Sequence, residues 1–253
     1  MAPCVSLMST LRLENRTDSR SRPVHRFHGN GFHVVCRPEF DSAEMRRAFI
    51  APDALIDRGT PLKRGNATTI SQVVVAGQIL VVKRYNPIRI RKFLRQLFRF
   101  SRARAGWKNA LLFERYRIPT AKAIALIERP YDLRRPTSYL VTEFVPGTNG
   151  NALFTDPDQS ATTANDLARK TAAALRRLHD AHLSHGDLKA TNIIYGESAP
   201  VFIDLDAARR HRIGLFERWR QRRDLQRLLQ NVATEGPLAA AFGEIFPEMG
   251  RRA

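Results

Sequence analysis

The spacing of apolar residues changes several times along the chain, and each change predicts an element. Residues 31–37 (GFHVVCR) read as a short strand, and 42–50 as a helix opened by the Ser42 cap. Strand-forming runs over 70–75 and 79–84 predict a hairpin bent at Ala76-Gly77-Gln78. Ile90, Phe93, Leu94 and Leu97 then follow helical spacing, with Arg91, Lys92, Arg95, Arg99 and Arg102 on the remaining surface. The spacing predicts a basic amphipathic helix over 88–104, which either packs on a core with a solvated basic face or rests on an anionic membrane. A helix over 107–116 stops before Ile118-Pro119. Strands follow at 123–127 and 138–144. Leu167, Thr171, Ala174, Leu175 and Leu178 share one face of a helix predicted over 165–182. Short strands at 193–195 and 201–203 read as a hairpin, and 217–232 as the last strong helix. The first thirty residues, rich in Arg, Ser and His, lack periodicity and read as a mobile basic arm. No internal repeat is visible.

Composition adds bounds. At 253 residues and 43% apolar content, the chain is long enough for one large domain or two lobes with real cores. Lys and Arg number 42 against 24 Asp and Glu, a formal charge of +18, which draws polyanions: nucleic acid, anionic lipid or a phosphorylated substrate. Cys4 and Cys36 make neither a disulfide framework nor a metal pattern, so a reducing cytoplasm is the expectation. The first eight residues lack the look of a secretory signal. No apolar run approaches the ~18 residues that span a bilayer. A soluble or peripheral protein is expected.

The chemistry concentrates in His185-Gly186-Asp187-Leu188-Lys189-Ala190-Thr191-Asn192, followed by Ile203-Asp204-Leu205-Asp206. The spacing H-G-D-L-K-x-x-N is a kinase catalytic-loop pattern with Gly in place of the usual Arg. Phosphoryl transfer needs positioning and charge neutralisation, which a carboxylate, a cation and two oxygen ligands supply. Asp187 can accept the proton of an attacking hydroxyl, and Lys189 can steady the transferring phosphate. Asn192 and Asp204 can hold the metal that bridges nucleotide phosphates. Taken singly, Asp187 and Asn192 are also ordinary turn formers. Lys83 ends an apolar strand, either gripping phosphates or snorkelling from the strand end. The turn at Gly65, with Thr68 and Thr69, is either a phosphate-covering loop or a plain hairpin turn; it has one glycine, not three. Glu143-Phe144-Val145-Pro146-Gly147 suits a hinge whose backbone pairs with an adenine edge, or a simple strand exit. Asp224, in an Arg-rich stretch, either bonds back to the catalytic-loop backbone or balances charge.

These residues resemble the protein-kinase-like superfamily, and within it the bacterial lipopolysaccharide core kinases that phosphorylate heptose or 3-deoxy-manno-octulosonic acid (Kdo). The resemblance covers about residues 60–232. It implies an α+β, bilobal protein-kinase-like fold: a basic arm over 1–30, a small, mostly antiparallel-sheet N-lobe over 31–145 and a helical C-lobe over 146–253. It implies ATP and Mg2+ and an alcohol-accepting phosphotransferase that modifies a core sugar at the cytoplasmic face of the inner membrane. By that similarity Lys83 holds the phosphates, Asp187 is the base, Asn192 and Asp204 bind magnesium, and Glu143 and Val145 contact adenine. The implied partners are an anionic glycolipid and an anionic membrane surface, with no specific nucleic acid.

Three departures stand out. The metal motif reads Asp204-Leu205-Asp206 rather than D-F-G. The helix glutamate expected to pair with Lys83 counts to Asn109, with Glu114 the nearest carboxylate. Nothing matches the A-P-E landmark, and little chain separates Asp206 from the last helix, which favours a small-molecule or glycolipid acceptor over a peptide. The alternatives are a kinase of a protein or another small molecule, and a basic pseudokinase scaffold. An aminoglycoside acceptor fits poorly, since it is cationic and few acids stand beyond the catalytic ones.

Overall fold

Two hairpins with two-residue bends begin the fold, and both bends use backbone that few residues adopt. The computed structural model describes residues 23–86, 101–129, 137–156, 158–197, 199–212 and 214–246. Strand β1 (His25–Gly29) turns at Asn30-Gly31 into β2 (Phe32–Cys36), with φ of 51° and 78° at the bend. Asn-Gly is the strongest short hairpin signal, because both residues must take positive φ. The arm expected through residue 30 therefore gives way to β1, paired with β2 from His25↔Cys36 to Gly29↔Phe32. The helix expected next is α1 (Ala43–Phe49), and the Ser42 side chain accepts from Met45 N–H as read. A second short helix, α2 (Pro52–Arg58), follows, started by proline at a position that needs no donor.

Strand β3 (Thr60–Arg64) leads into β4 (Thr68–Val75), which bends at Ala76-Gly77 into β5 (Gln78–Tyr85). The hairpin forms as expected, but the register Val75↔Gln78 closes a two-residue turn, so Gln78 belongs to the strand rather than to the bend. Helix α3 (Arg102–Arg115) follows, and strands β6 (Ala123–Glu128) and β7 (Ser138–Glu143) complete the sheet. All seven strands join one antiparallel sheet in the order β1-β2-β6-β7-β5-β4-β3. One face of the sheet carries Phe27, Val34, Val73, Leu80, Val82 and Val141, and α1 and α2 cover it with Met45, Phe49 and Ile56. Residues 88–100 of the basic amphipathic stretch lie outside the described residues, and 102–104 open α3.

The chain divides into two compact units: one runs to Trp107 and includes Ala123–Phe144, the other takes Lys108–Lys122 and the chain from Val145. The second unit is mostly helical. Its short strand β8 (Thr148–Asn149) and helix α4 (Gly150–Phe154) precede α5 (Ala161–Asp180). Helix α5 begins a turn earlier than the apolar pattern predicts. Ser160 caps it by accepting from Thr163 N–H, so the helix starts before its first buried residue, Ala164. Leu167, Thr171, Ala174, Leu175 and Leu178 are all buried, as their shared face requires. Strands β9 (Leu183–Ser184), β10 (Ile193–Tyr195), β11 (Pro200–Phe202) and β12 (Arg209–Arg210) pair as β11-β10-β8 and β12-β9. Helix α6 (Gly214–Leu229) comes next, and α7 (Pro237–Ile245) packs on α5, while its Phe242 meets Phe154 of α4 edge to face at 5.4 Å.

Candidate active site

Asp187 follows Gly186 in a loop whose shape depends on a carboxylate far along the chain. Asp224 on α6 is only 2% exposed. Its Oδ2 accepts from His185 N–H at 2.6 Å and its Oδ1 from Gly186 N–H at 2.9 Å. A buried carboxylate that accepts two backbone donors satisfies groups the loop cannot pair within itself. Of the two roles open to Asp224 on sequence, the structure gives the bond to the catalytic-loop backbone. Gly186 takes φ +82°, and a Cβ there would lie 2.3 Å from the Ala207 carbonyl oxygen. Glycine stands where kinases usually carry Arg because this backbone packs directly on the turn that follows Asp204.

The same loop fastens to the Asp204 segment from both sides. Asn192 Nδ2 donates to the Asp187 carbonyl at 2.8 Å, and the Asn192 carbonyl accepts from Ile203 N–H at 3.0 Å. His185 Nε2 lies 3.0 Å from the Ile203 carbonyl. Burial holds the imidazole below the usual histidine range, against the opposing pull of Asp224, Asp204 and Asp187. The ring is therefore neutral near pH 7 and donates from Nε2. Both backbone groups of Ile203 are thus engaged by the catalytic loop.

Asp204 itself adopts the left-handed region, φ 62° and ψ 56°, which a non-glycine residue keeps only when its surroundings impose it. The turn after it, Leu205–Ala207, is held by Asn109 on α3, whose Nδ2 donates to the Leu205 carbonyl at 2.7 Å and the Ala208 carbonyl at 2.9 Å. The helix position where a glutamate was expected thus carries an amide that clamps this turn. No sequence rule assigns that bond, although counting back from Pro119 reaches the right residue.

Asp187, 31% exposed at its side chain, receives two cations. Arg227 Nη1 on α6 reaches Oδ1 at 2.5 Å and the Gly186 carbonyl at 3.2 Å, and Lys189 Nζ reaches Oδ2 at 3.1 Å. Arg227 enters the sequence reading only as one basic neighbour of Asp224; its link to Asp187 needs the fold. The Asn192 amide, with its nitrogen committed to the Asp187 carbonyl, keeps Oδ1 as its acceptor. That oxygen and the Asp204 carboxylate are hard donors of the type Mg2+ takes alongside phosphate and water oxygens. Among the described residues no cluster of three His, Cys, Asp or Glu forms a metal cage.

The first unit holds the remaining candidates. Lys83 lies within β5, opposite Ile70 on one neighbour and Leu140 on the other, and is 9% exposed. Strand alternation puts it on the face away from α1 and α2, because Val82 and Leu80 belong to the covered face. Its ammonium sits 4.9 Å from the Tyr85 ring centroid. The first turns of α3 pack on that face: Arg102 lies over Tyr85 at 4.9 Å, and a Cβ on Gly106 would meet Leu140 at 2.9 Å. Glu143 ends β7 one residue past the ladder with β6, and Phe144 N–H donates to the Ile79 carbonyl at 3.2 Å. The Gly65 turn is bonded within itself. Gly65 N–H is spent on the Thr68 carbonyl at 3.0 Å, Thr68 is buried, and the Asn86 amide binds the Gly65 carbonyl at 2.9 Å. These bonds describe a closed hairpin turn.

The sequence profile of the Lipopolysaccharide kinase (Kdo/WaaP) family matches residues 59–242, more than half of the chain. The chain belongs to that family. No curated protein matches it significantly. Among solved structures, WaaP in complex with acyl carrier protein is similar with a TM-score of 0.59 and 19% identity, over 85% of this chain and 88% of that one. At that identity the likeness is one of fold, and the fold is the kinase-like one. The family is one of phosphotransferases, and its matched span contains every site residue discussed above. The mixed antiparallel-sheet and helical architecture expected on sequence is the one the family member shows.

Proposed function

We propose that the protein is an ATP-dependent kinase that transfers the γ-phosphoryl group to a hydroxyl of a lipopolysaccharide core sugar, heptose or Kdo. The observation that carries this reading is the mutual bonding of the two candidate loops, in which Asn192 and His185 engage Asp187 and Ile203 and so bracket Asp204. Phosphoryl transfer asks for fixed oxygen donors and a poised base more than for covalent chemistry. In this reading Asp187 accepts the proton of the acceptor hydroxyl as its oxygen bonds to phosphorus and ADP departs. Lys189, already beside Asp187, steadies the phosphoryl oxygens, and Lys83 holds the other phosphates. Asn192 Oδ1 and the Asp204 carboxylate would hold Mg2+, which neutralises phosphate charge when bound. Glu143 and Val145 supply backbone contacts to adenine. The short path from the Ala207 turn through β12 to α6 leaves no room for a peptide-holding segment, which supports a glycolipid acceptor.

The net charge of +18 supports work at the cytoplasmic face of an anionic membrane, where such an acceptor resides. No helix among the described residues is long and apolar enough to cross one. By likeness to the WaaP structure, a complex with acyl carrier protein is a further proposal, and co-elution of the two purified proteins tests it. The central test is ATP turnover with purified core oligosaccharide. Asp187→Ala should lower kcat by about a thousandfold while nucleotide affinity stays within about threefold. Loss of nucleotide binding in that variant, or transfer at the wild-type rate, would refute the role of base.

A further inference from the structure

Helix α6 places Arg220, Arg223 and Arg227 about one turn apart, and together with Gly186 and Asp224 they line a shallow pocket beside the catalytic loop. The charge of this pocket is one-sided. Asp224, the one acid in its lining, is spent on the two backbone donors of the loop. Arg227 ties the pocket to the base, since the same guanidinium contacts Asp187. Arg220 and Arg223 are fixed by aromatic rings: Arg220 stands 5.3 Å from the centroids of both Phe216 and Trp219, and Arg223 stands 4.9 Å from that of Trp219. Those two rings stack on each other at 5.6 Å. Arg220 Nε is also shut off from solvent with no hydrogen-bond partner among the described residues. A desolvated guanidinium donor without an acceptor is costly unless an oxyanion completes it.

We infer that this pocket binds an oxyanion of the acceptor, a phosphate or carboxylate carried near the hydroxyl that Asp187 deprotonates. The inference rests on the kinase reading and deepens it by naming what orients the acceptor. Planar guanidinium forks match the paired oxygens of such groups, and Arg227 couples anion binding to the base. A neutral group would leave the pocket uncompensated.

The test uses the full-length protein without nucleotide, titrated with inorganic phosphate at constant ionic strength while Trp219 fluorescence is followed in a Trp107→Phe background. A saturable response is expected. Arg223→Gln and Arg220→Gln should each weaken it by about tenfold or more, and Arg223→Lys should fall between. Arg169→Gln, which removes one charge from exposed α5 surface, should leave it unchanged. In turnover, phosphate should compete with the core oligosaccharide and not with ATP, and Arg223→Gln should raise the acceptor KM by a similar factor. No saturable response, equal affinity in Arg223→Gln, an equal loss in Arg169→Gln, or competition with ATP alone would each overturn the inference. The titration needs no turnover. A positive titration without phosphoryl transfer would thus keep the pocket and reject the kinase reading, while transfer with a flat titration would do the reverse.

Discussion

The two units hold their candidate residues by different means. In the sheet unit, Lys83 is placed by strand alternation and by the pairing of β5 with β4 and β7. Its support is repetitive backbone bonding and an apolar face under α1 and α2, spread over many residues. In the helical unit, Asp187, Asn192 and Asp204 sit in irregular backbone. There the support comes from a few polar side chains, Asp224, Asn109, His185 and Asn192, each bonded to main-chain groups. Distributed support degrades gradually, whereas a loop resting on single side chains loses its shape when one of them goes.

The largest expected effect tests that contrast directly. Asp224→Ala removes the acceptor of a buried and a part-buried N–H group and should destabilise the helical unit by about 3 kcal/mol in urea titration, with transfer activity lost. A change under about 1 kcal/mol would mean that the loop holds itself. Asn109→Ala frees the Leu205 and Ala208 carbonyls and should cost about 2 kcal/mol, together with a weaker affinity for magnesium-nucleotide measured by calorimetry. Unaltered affinity would show that the turn after Asp204 is set by other contacts.

The pH dependence is the third test. Burial holds His185, and also His211, below the usual histidine value, so the folded protein binds fewer protons at these sites than the unfolded chain. The resulting stability is complete above the unfolded value of about 6.5 and is lost as pH falls toward the lower folded values. For His185 alone the slope there is at most about 1.4 kcal/mol per pH unit. His185→Gln should flatten the decline between pH 6.5 and 5, leaving the shares from His211 and from His33, which burial also lowers. An identical decline in the variant would remove His185 from this account. The smallest effect belongs to the sheet unit. Ser42→Ala loses the α1 cap and should cost about 1 kcal/mol, with kcat and both KM values unchanged. An altered kcat would erase the proposed difference between the units.

The Asn30-Gly31 bend shows a signal that was present in the sequence and outweighed there. Positive φ at both residues was readable from the dipeptide alone, yet the Arg- and His-rich surroundings of β1 read as an arm. The turn at Gly65, with Thr68 and Thr69 after it, reads on sequence as either a phosphate-covering loop or a plain hairpin turn, and the bond from Gly65 N–H across the turn to the Thr68 carbonyl is one that only the structure shows.

What the sequence determined by itself was whatever repeats or acts over a few residues. Runs of strand-forming residues marked the β4–β5 hairpin, helical spacing set the buried stripe of α5, and the order Asp187, Lys189, Asn192, Asp204 marked the candidate chemistry. What only the tertiary structure decided was which side chains hold the loops carrying that chemistry. Asn109 lies 96 residues from the carbonyl of Leu205, and Asp224 lies 38 residues from the N–H of Gly186. Such bonds have no period and no local propensity. They exist because irregular backbone excluded from water must find donors and acceptors wherever the folded chain brings them.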